Sequence, residues 1–334
     1  MHHSKAIIVS LLLMGTTSAQ AQLRPLGEPG WDFTLNLSLG YVTSENNFST
    51  SDDNQTITEF GSPEHKTSST LAYPLARVQY TTRDRRNQLY IGNSSEQISN
   101  AQFQYELGYT HQSPRLGEVT LAYFPQLPFL NSTWEDPYLL GAPRVETEEN
   151  ATGARIAWQQ FLGTPLTVKY AYANIDIETE SSGSSASLDL NEAQQQLLER
   201  DGNAHRLELE TMFPFTKGWF LRPAIQSTYR DAKGAAIAFT DYTLKMGVLH
   251  FNAPHTFIMN FEGGQSETKE ANPIFDETIE QTKYSGFFIY DYAGIFGWKN
   301  ASLNAIAGYT QSDANVDFYN SKGLITSVGM TYRF

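Results

Sequence analysis

Residues 324–334 read Leu-Ile-Thr-Ser-Val-Gly-Met-Thr-Tyr-Arg-Phe. Leu324, Thr326, Val328, Met330, Tyr332 and Phe334 alternate with Ile325, Ser327, Gly329, Thr331 and Arg333. Alternation sustained over about ten residues is a β-strand with one oily and one polar face. Three earlier stretches repeat it. Phe33, Leu35, Leu37, Leu39 and Tyr41 form one oily set, Ala101, Phe103, Tyr105, Leu107 and Tyr109 a second, and Ala301, Leu303, Ala305, Ala307 and Tyr309 a third. Strands of soluble sheets usually run about five or six residues. These runs reach the ten or so residues that a tilted strand needs to cross a bilayer.

Fourteen such strands are expected, over 33–44, 71–82, 88–96, 100–112, 118–127, 151–162, 166–177, 203–214, 219–230, 236–251, 256–266, 284–294, 301–311 and 323–334. The hairpin over 71–96 has the weakest pattern, because of Pro74 and the fading run Asn93-Ser94-Ser95, and its loss would leave twelve. Connections alternate in length. Short turns fall at 83–87, 113–117, 163–165, 214–218, 252–255 and 295–300, and long loops at 45–70, 128–150, 178–202, 267–283 and 312–322. The expected fold is therefore an all-β, antiparallel up-and-down barrel of the outer-membrane type, with an even strand number and both termini at the short-turn end.

The N-terminus agrees. Residues 1–21 carry Lys5, an apolar run from Ala6 to Gly15 and the small residues of Ala19-Gln20-Ala21, the anatomy of a secretory signal peptide. Residues 22–334 then form one barrel domain in the bacterial outer membrane, with short periplasmic turns and long extracellular loops. The end Gly329, Tyr332 and Phe334 fits the pattern Gly-any-any-aromatic-any-aromatic, which looks like the C-terminal signal that the outer-membrane assembly machinery reads. Trp31, Trp158, Trp219 and Trp298 lie near the short turns, as an interfacial aromatic belt would.

The chain has 334 residues, a formal charge of −13 and no cysteine. The acidic balance argues against nucleic-acid binding, and the absent thiol removes cysteine chemistry. The acidity belongs to the long loops, which carry −17 between them against −14 for residues 22–334, leaving strands and turns at +3. Solvation of exposed loops is the plain reading of such charge. Divalent cations bridging Asp52, Asp53, Asp313 or Asp317 to lipopolysaccharide phosphates are the sharper one, although no calcium-loop spacing is present.

With the oily face outward, the inward charged positions are Arg77, Glu106, Arg155, Lys169, Arg206, Glu208, Glu210, Arg222, Arg230, Lys245, Glu262, Asp291 and Arg333. Such residues can line a channel for small polar solutes or ions, or pair into a network that packs the barrel shut and leaves the acidic loops to bind a ligand. A barrel-wall enzyme would need an inward His beside Ser or Asp. His65, His111, His205, His250 and His255 offer no such arrangement, and neither a nucleophile-elbow nor a zinc-protease motif is present. No catalytic residue or cofactor is expected. Residues 188–200, Leu-Asp-Leu-Asn-Glu-Ala-Gln-Gln-Gln-Leu-Leu-Glu-Arg, read as a short helix capped by Asn191 and folded over the mouth.

Five stretches carry a family likeness: Asn36–Tyr41, Trp134-Glu135-Asp136-Pro137-Tyr138-Leu139-Leu140-Gly141, Arg200-Asp201-Gly202-Asn203-Ala204, Asn272-Pro273-Ile274-Phe275-Asp276 and Val316-Asp317-Phe318-Tyr319. So spaced, they resemble the family of bacterial outer-membrane proteins catalogued as domain of unknown function 2860. The resemblance covers nearly all of residues 22–334. It implies an outer-membrane barrel and assigns no activity, ligand or catalytic residue. The strand number is also similar to that of monomeric general channels and fatty-acid transporters, but only residues 22–32 precede the first strand, too few for a plug domain.

Overall fold

The computed structural model describes residues 25–93, 105–125 and 132–334. The expected signal peptide, the first residues of the expected strand 100–112, the last residues of the expected strands 88–96 and 118–127, and residues 97–99 and 128–131 lie outside these. The described residues form sixteen strands: β1 (Gly30–Asn46), β2 (Lys66–Thr81), β3 (Asn87–Gly92), β4 (Glu106–Ser113), β5 (Gly117–Phe124), β6 (Ser132–Trp134), β7 (Glu146–Gln159), β8 (Leu166–Ile177), β9 (Gly202–Thr211), β10 (Phe213–Thr216), β11 (Trp219–Ala232), β12 (Phe239–Asn252), β13 (His255–Thr268), β14 (Glu280–Ala293), β15 (Ala301–Ala314) and β16 (Ser321–Arg333). Among the described residues one short α-helix, α1 (Glu192–Gln196), and five 3-10 turns accompany them. No described helix is long and apolar enough to cross a membrane.

Fourteen strands make the barrel, because β6 only flanks β7 and β10 continues β9. Every neighbouring pair is antiparallel. The sheet closes where β1 meets β16, from Thr34↔Arg333 to Asn46↔Ser321. The twelve-strand alternative is excluded. Pro74 is accommodated in β2 opposite Leu37, in a stretch that β3 does not reach. The strand expected over 203–214 breaks after Thr211 and resumes as β10, with a register shift between Pro214 and Thr216, because proline cannot donate to a ladder.

Several strands run further toward the long loops than the alternation reaches: β7 begins at Glu146, β14 at Glu280, and β15 ends at Ala314. There both faces are polar, so the period-two signal fades while the hairpin hydrogen bonds continue. The expected strand 236–251 instead starts at Phe239, because Ala236 and Ala238 are buried beneath the loops.

The outer wall is apolar. Leu37, Leu39, Leu89, Ile91, Leu107, Leu121, Ile225, Leu244, Phe261, Phe288, Leu324 and Val328 are all exposed large hydrophobics. An exposed apolar band of this extent is the lipid-facing surface of a membrane barrel. At the turn end the band carries rings. Trp31 packs with Phe33 and Tyr80, Trp158 with Phe161, Trp219 with His250, and Trp298 with Phe296.

The buried apolar cluster is not in the barrel but above it. Ile57, Tyr138, Leu198, Ala236, Ile279, Val316 and Phe318 come from six separate connections and pack with Phe48, Phe60, Leu140, Phe275 and Tyr319. The long loops thus fold together into a cap over one end of the barrel.

Candidate functional site

The inward face is built by the strand alternation and reads as two ion-paired stretches of wall. On one, the Arg155 guanidinium donates to both Glu106 oxygens, at 2.8 Å through Nε and 2.7 Å through Nη2. The Tyr90 hydroxyl also donates to Glu106. Arg77 stacks on the Tyr90 ring at 3.7 Å and donates to Gln79, Gln88 and the Asn93 carbonyl. On the other, Glu208 accepts from Lys169 Nζ at 2.9 Å and from Lys245 Nζ at 2.8 Å. Lys169 also reaches Glu210 at 3.1 Å, Lys245 lies 3.6 Å from Glu262, and Arg222 lies 3.8 Å from Glu210.

All these partners sit on adjacent strands or one strand further along the sheet. The inward rings also lie sideways. A Cβ at Gly108 would fall 2.1 Å from the Tyr90 ring, one at Gly153 2.3 Å from Phe124, and one at Gly308 2.3 Å from Phe287. Each ring rests on a glycine of the next strand, and Arg222 rests on Gly247 in the same way. Long side chains therefore run along the wall instead of reaching across the lumen.

The remaining inward positions are placed differently. Arg206 faces inward between Ala171 and Thr228, exposed. Arg230 is buried near the long loops, where its guanidinium donates to the Arg200 carbonyl, so it meets the cap. Asp291 accepts from Ser302 Oγ at 2.7 Å, and Arg333 Nε stands 4.0 Å from Asp32. An inward pair that the sequence reading passed over is Lys283 with Asp241 at 3.1 Å. The alternation leaves Lys283 in the loop 267–283, but the extended β14 brings it into the barrel.

The five described histidines face outward or lie in a loop. His205 Nδ1 is 2.8 Å from the Tyr170 hydroxyl, His250 stacks on Trp219, and His255 Nδ1 is 2.9 Å from the Tyr290 hydroxyl. His111 Nδ1 is 2.8 Å from Asn87, and His65 is beside Glu64. The candidate cation ligands are not brought together. Asp52 and Asp53 lie in a 3-10 turn, Asp313 is bound by Gln311, and Asp317 accepts from Asn320. Among the described residues no three acidic or histidine side chains converge as a metal site.

The cap is held by polar keys from the stretches noted in the sequence. Arg144 is 1% exposed and donates to the carbonyls of Asn47 at 2.8 Å, Pro137 at 3.1 Å and Asn54, while stacking on Trp134 at 4.5 Å. Burial pushes its guanidinium down to about 10. Arg200 donates to Glu180 at 2.8 Å and to the Trp134 carbonyl at 2.7 Å. Tyr138 and Tyr319 share a hydrogen bond of 2.8 Å, and Asn272 Nδ2 donates to Tyr319 at 2.9 Å. Burial pushes the Tyr138 hydroxyl up to about 12 and Tyr319 in the same direction. Helix α1 carries a full capping box between Asn191 and Gln194 and leads into Leu198, which is fully buried in the cap.

Among solved structures, the fold is similar to OmpT, an outer membrane protein of Vibrio cholerae (8% identity, 91% of this chain and 97% of that chain, TM-score 0.44). It is also similar to the outer membrane channel DcaP of Acinetobacter baumannii (9% identity, 91% and 98%, TM-score 0.41) and to OccK7 of Pseudomonas aeruginosa (9% identity, 91% and 99%, TM-score 0.38). No curated protein matches the sequence. The model of one family matches residues 30–333, which takes in every barrel strand and the whole cap, and the chain belongs to that family, described as protein of unknown function DUF2860.

Proposed function

We propose that this barrel stands in the bacterial outer membrane as a narrow, weakly selective channel for small polar solutes or ions, without chemistry of its own. The observation that carries the reading is the sideways packing of the inner face. Fourteen strands about 4.8 Å apart and tilted about 40° enclose a backbone cylinder about 28 Å across. Charges that bond along the wall, and rings that lie on glycines, leave the middle of that cylinder free of bridging side chains. Mixed, paired charges give a wall that hydrates solutes of either sign and excludes neither strongly.

In this reading the turn end with its aromatic girdle faces the periplasm and the acidic cap faces outward, toward lipopolysaccharide. The C-terminal Gly329, Tyr332 and Phe334 serve the assembly machinery. Planar-bilayer recording of the purified protein tests the channel, with discrete conductance steps expected. Their absence across salt and pH would refute it.

The cap favours a second reading, a closed barrel whose outer surface binds a ligand, because it has an apolar core of its own. Removal of residues 178–202 separates the two. A channel keeps or gains conductance, whereas a closed binder shows none with or without the loop.

A further inference from the structure

At the turn end the inner face departs from the polar pattern. Leu75, Ile289 and Ile306 point inward and are buried, and with Ile258 they floor a cavity of about 260 Å³ beneath the β1–β16 seam. Ligand pockets for drug-sized molecules span roughly 300–1,000 Å³, so this one suits something smaller. Its charged lining is Asp32, Asp291, Arg77 and Arg333. The Arg77 guanidinium is directed to Gln79, Gln88 and the Asn93 carbonyl, toward β3. Arg333 is 68% exposed and stands 4.0 Å from Asp32. The two carboxylates and two guanidiniums balance, but the Asp291 carboxylate, beside the apolar floor, is fixed by a neutral hydroxyl donor, Ser302. A carboxylate held by a neutral donor thus stands at the edge of an apolar floor. Branched aliphatic side chains, not aromatic faces, make that floor, so it complements a hydrocarbon tail better than a sugar ring.

We propose that this cavity is a binding station for a small organic ammonium ion with an apolar tail. The ammonium is held by Asp291, with Asp32 nearby, and the tail lies on Ile258, Ile289 and Ile306. This deepens the channel reading and rests on it for the route of entry, but the site itself does not require conduction.

The test uses the purified mature protein and three probes of one length: pentylammonium, pentanoate and 1-pentanol. Binding is measured by calorimetry on the protein in detergent, and block by single-channel recording in a planar bilayer. Pentylammonium is expected to bind, and to interrupt the current, at concentrations at least tenfold below the other two. Asp291→Asn is expected to weaken it about tenfold, Ile306→Thr severalfold, and Asp176→Asn, an exposed carboxylate on the outer wall, not at all. Equal binding of pentanol and pentylammonium, or an Asp291→Asn variant that folds and binds unchanged, would overturn the proposal. Ammonium-selective heat without conductance sinks the channel and keeps the site, whereas conductance indifferent to pentylammonium, with no heat, sinks the site and keeps the channel.

Discussion

Replacing Arg144 by Met tests whether the cap is a folded unit. The substitution keeps an apolar stem over Trp134 and removes the charge with its three donations to the carbonyls of Asn47, Pro137 and Asn54. Hydrogen bonds to charged groups contribute about 1.5–3 kcal/mol each, so the gross loss is roughly 5–9 kcal/mol. Against this stands the cost of burying the guanidinium. Its fall from 12.5 to about 10 corresponds to about 3 kcal/mol. The net destabilisation is then about 2–6 kcal/mol, a change in cap opening of roughly thirtyfold to twenty-thousandfold. Amide hydrogen exchange reads this directly, because local opening sets exchange rates. Peptides covering 134–141, 269–279 and 315–320 should exchange faster by at least that lower bound, while β12 to β15 stay protected. If the variant folds and these peptides exchange within threefold of the parent, the loops are not a cooperative cap.

Further expectations follow from other groups. Tyr138 and Tyr319 ionise less readily in the folded cap than in an unfolded chain. Their contribution is therefore complete below about pH 10 and is lost as pH rises toward 12; a phenolate titration by ultraviolet absorbance should show a late phase that Tyr138→Phe removes. Glu208→Gln leaves Lys169 and Lys245 facing a neutral amide. Reversal potentials in a salt gradient should shift toward anions, and no shift would remove this cluster from the conduction path. At Gly329 an added Cβ would fall 2.0 Å from Ser38 Oγ and 2.9 Å from the Leu37 carbonyl. Gly329→Val should cost about 1–3 kcal/mol and lower the temperature at which the folded band is lost in gel-mobility assays.

The barrel was legible because alternation is a local signal. Most strands show their two faces within ten residues, and the last keeps them unbroken from Ser327 to Phe334. The cap was not legible for the opposite reason. Ile57, Tyr138, Leu198, Ile279 and Phe318 stand alone or in pairs and triplets within polar loops, at no shared period, and become a core only when the barrel brings the loops to one rim. The stretches that carry the family likeness, such as Trp134–Gly141 and Val316–Tyr319, could be quoted from the sequence, but their common task of building the cap could not. Of the inward charges, parity alone placed Glu208, Lys169 and Lys245 on one face. That Glu208 holds both lysines depends on the registers of β8, β9, β11 and β12, which no linear spacing contains. The inward Leu75, Ile289 and Ile306 were overlooked because the inner face was assumed polar throughout.

The cap also joins the two ends of the chain. Asn47 Nδ2 donates to the Phe318 carbonyl across 271 positions of sequence at 3.0 Å, and Phe48 packs edge-on against Phe318 with centroids 5.3 Å apart. Contacts of that separation form late, since they wait for the longest loop of chain to close. They cannot form at all until β1 has found β16. An intact cap is thus a record that the cylinder has been sealed. A chain stalled before sealing would present Phe48, Phe318 and their neighbours uncovered.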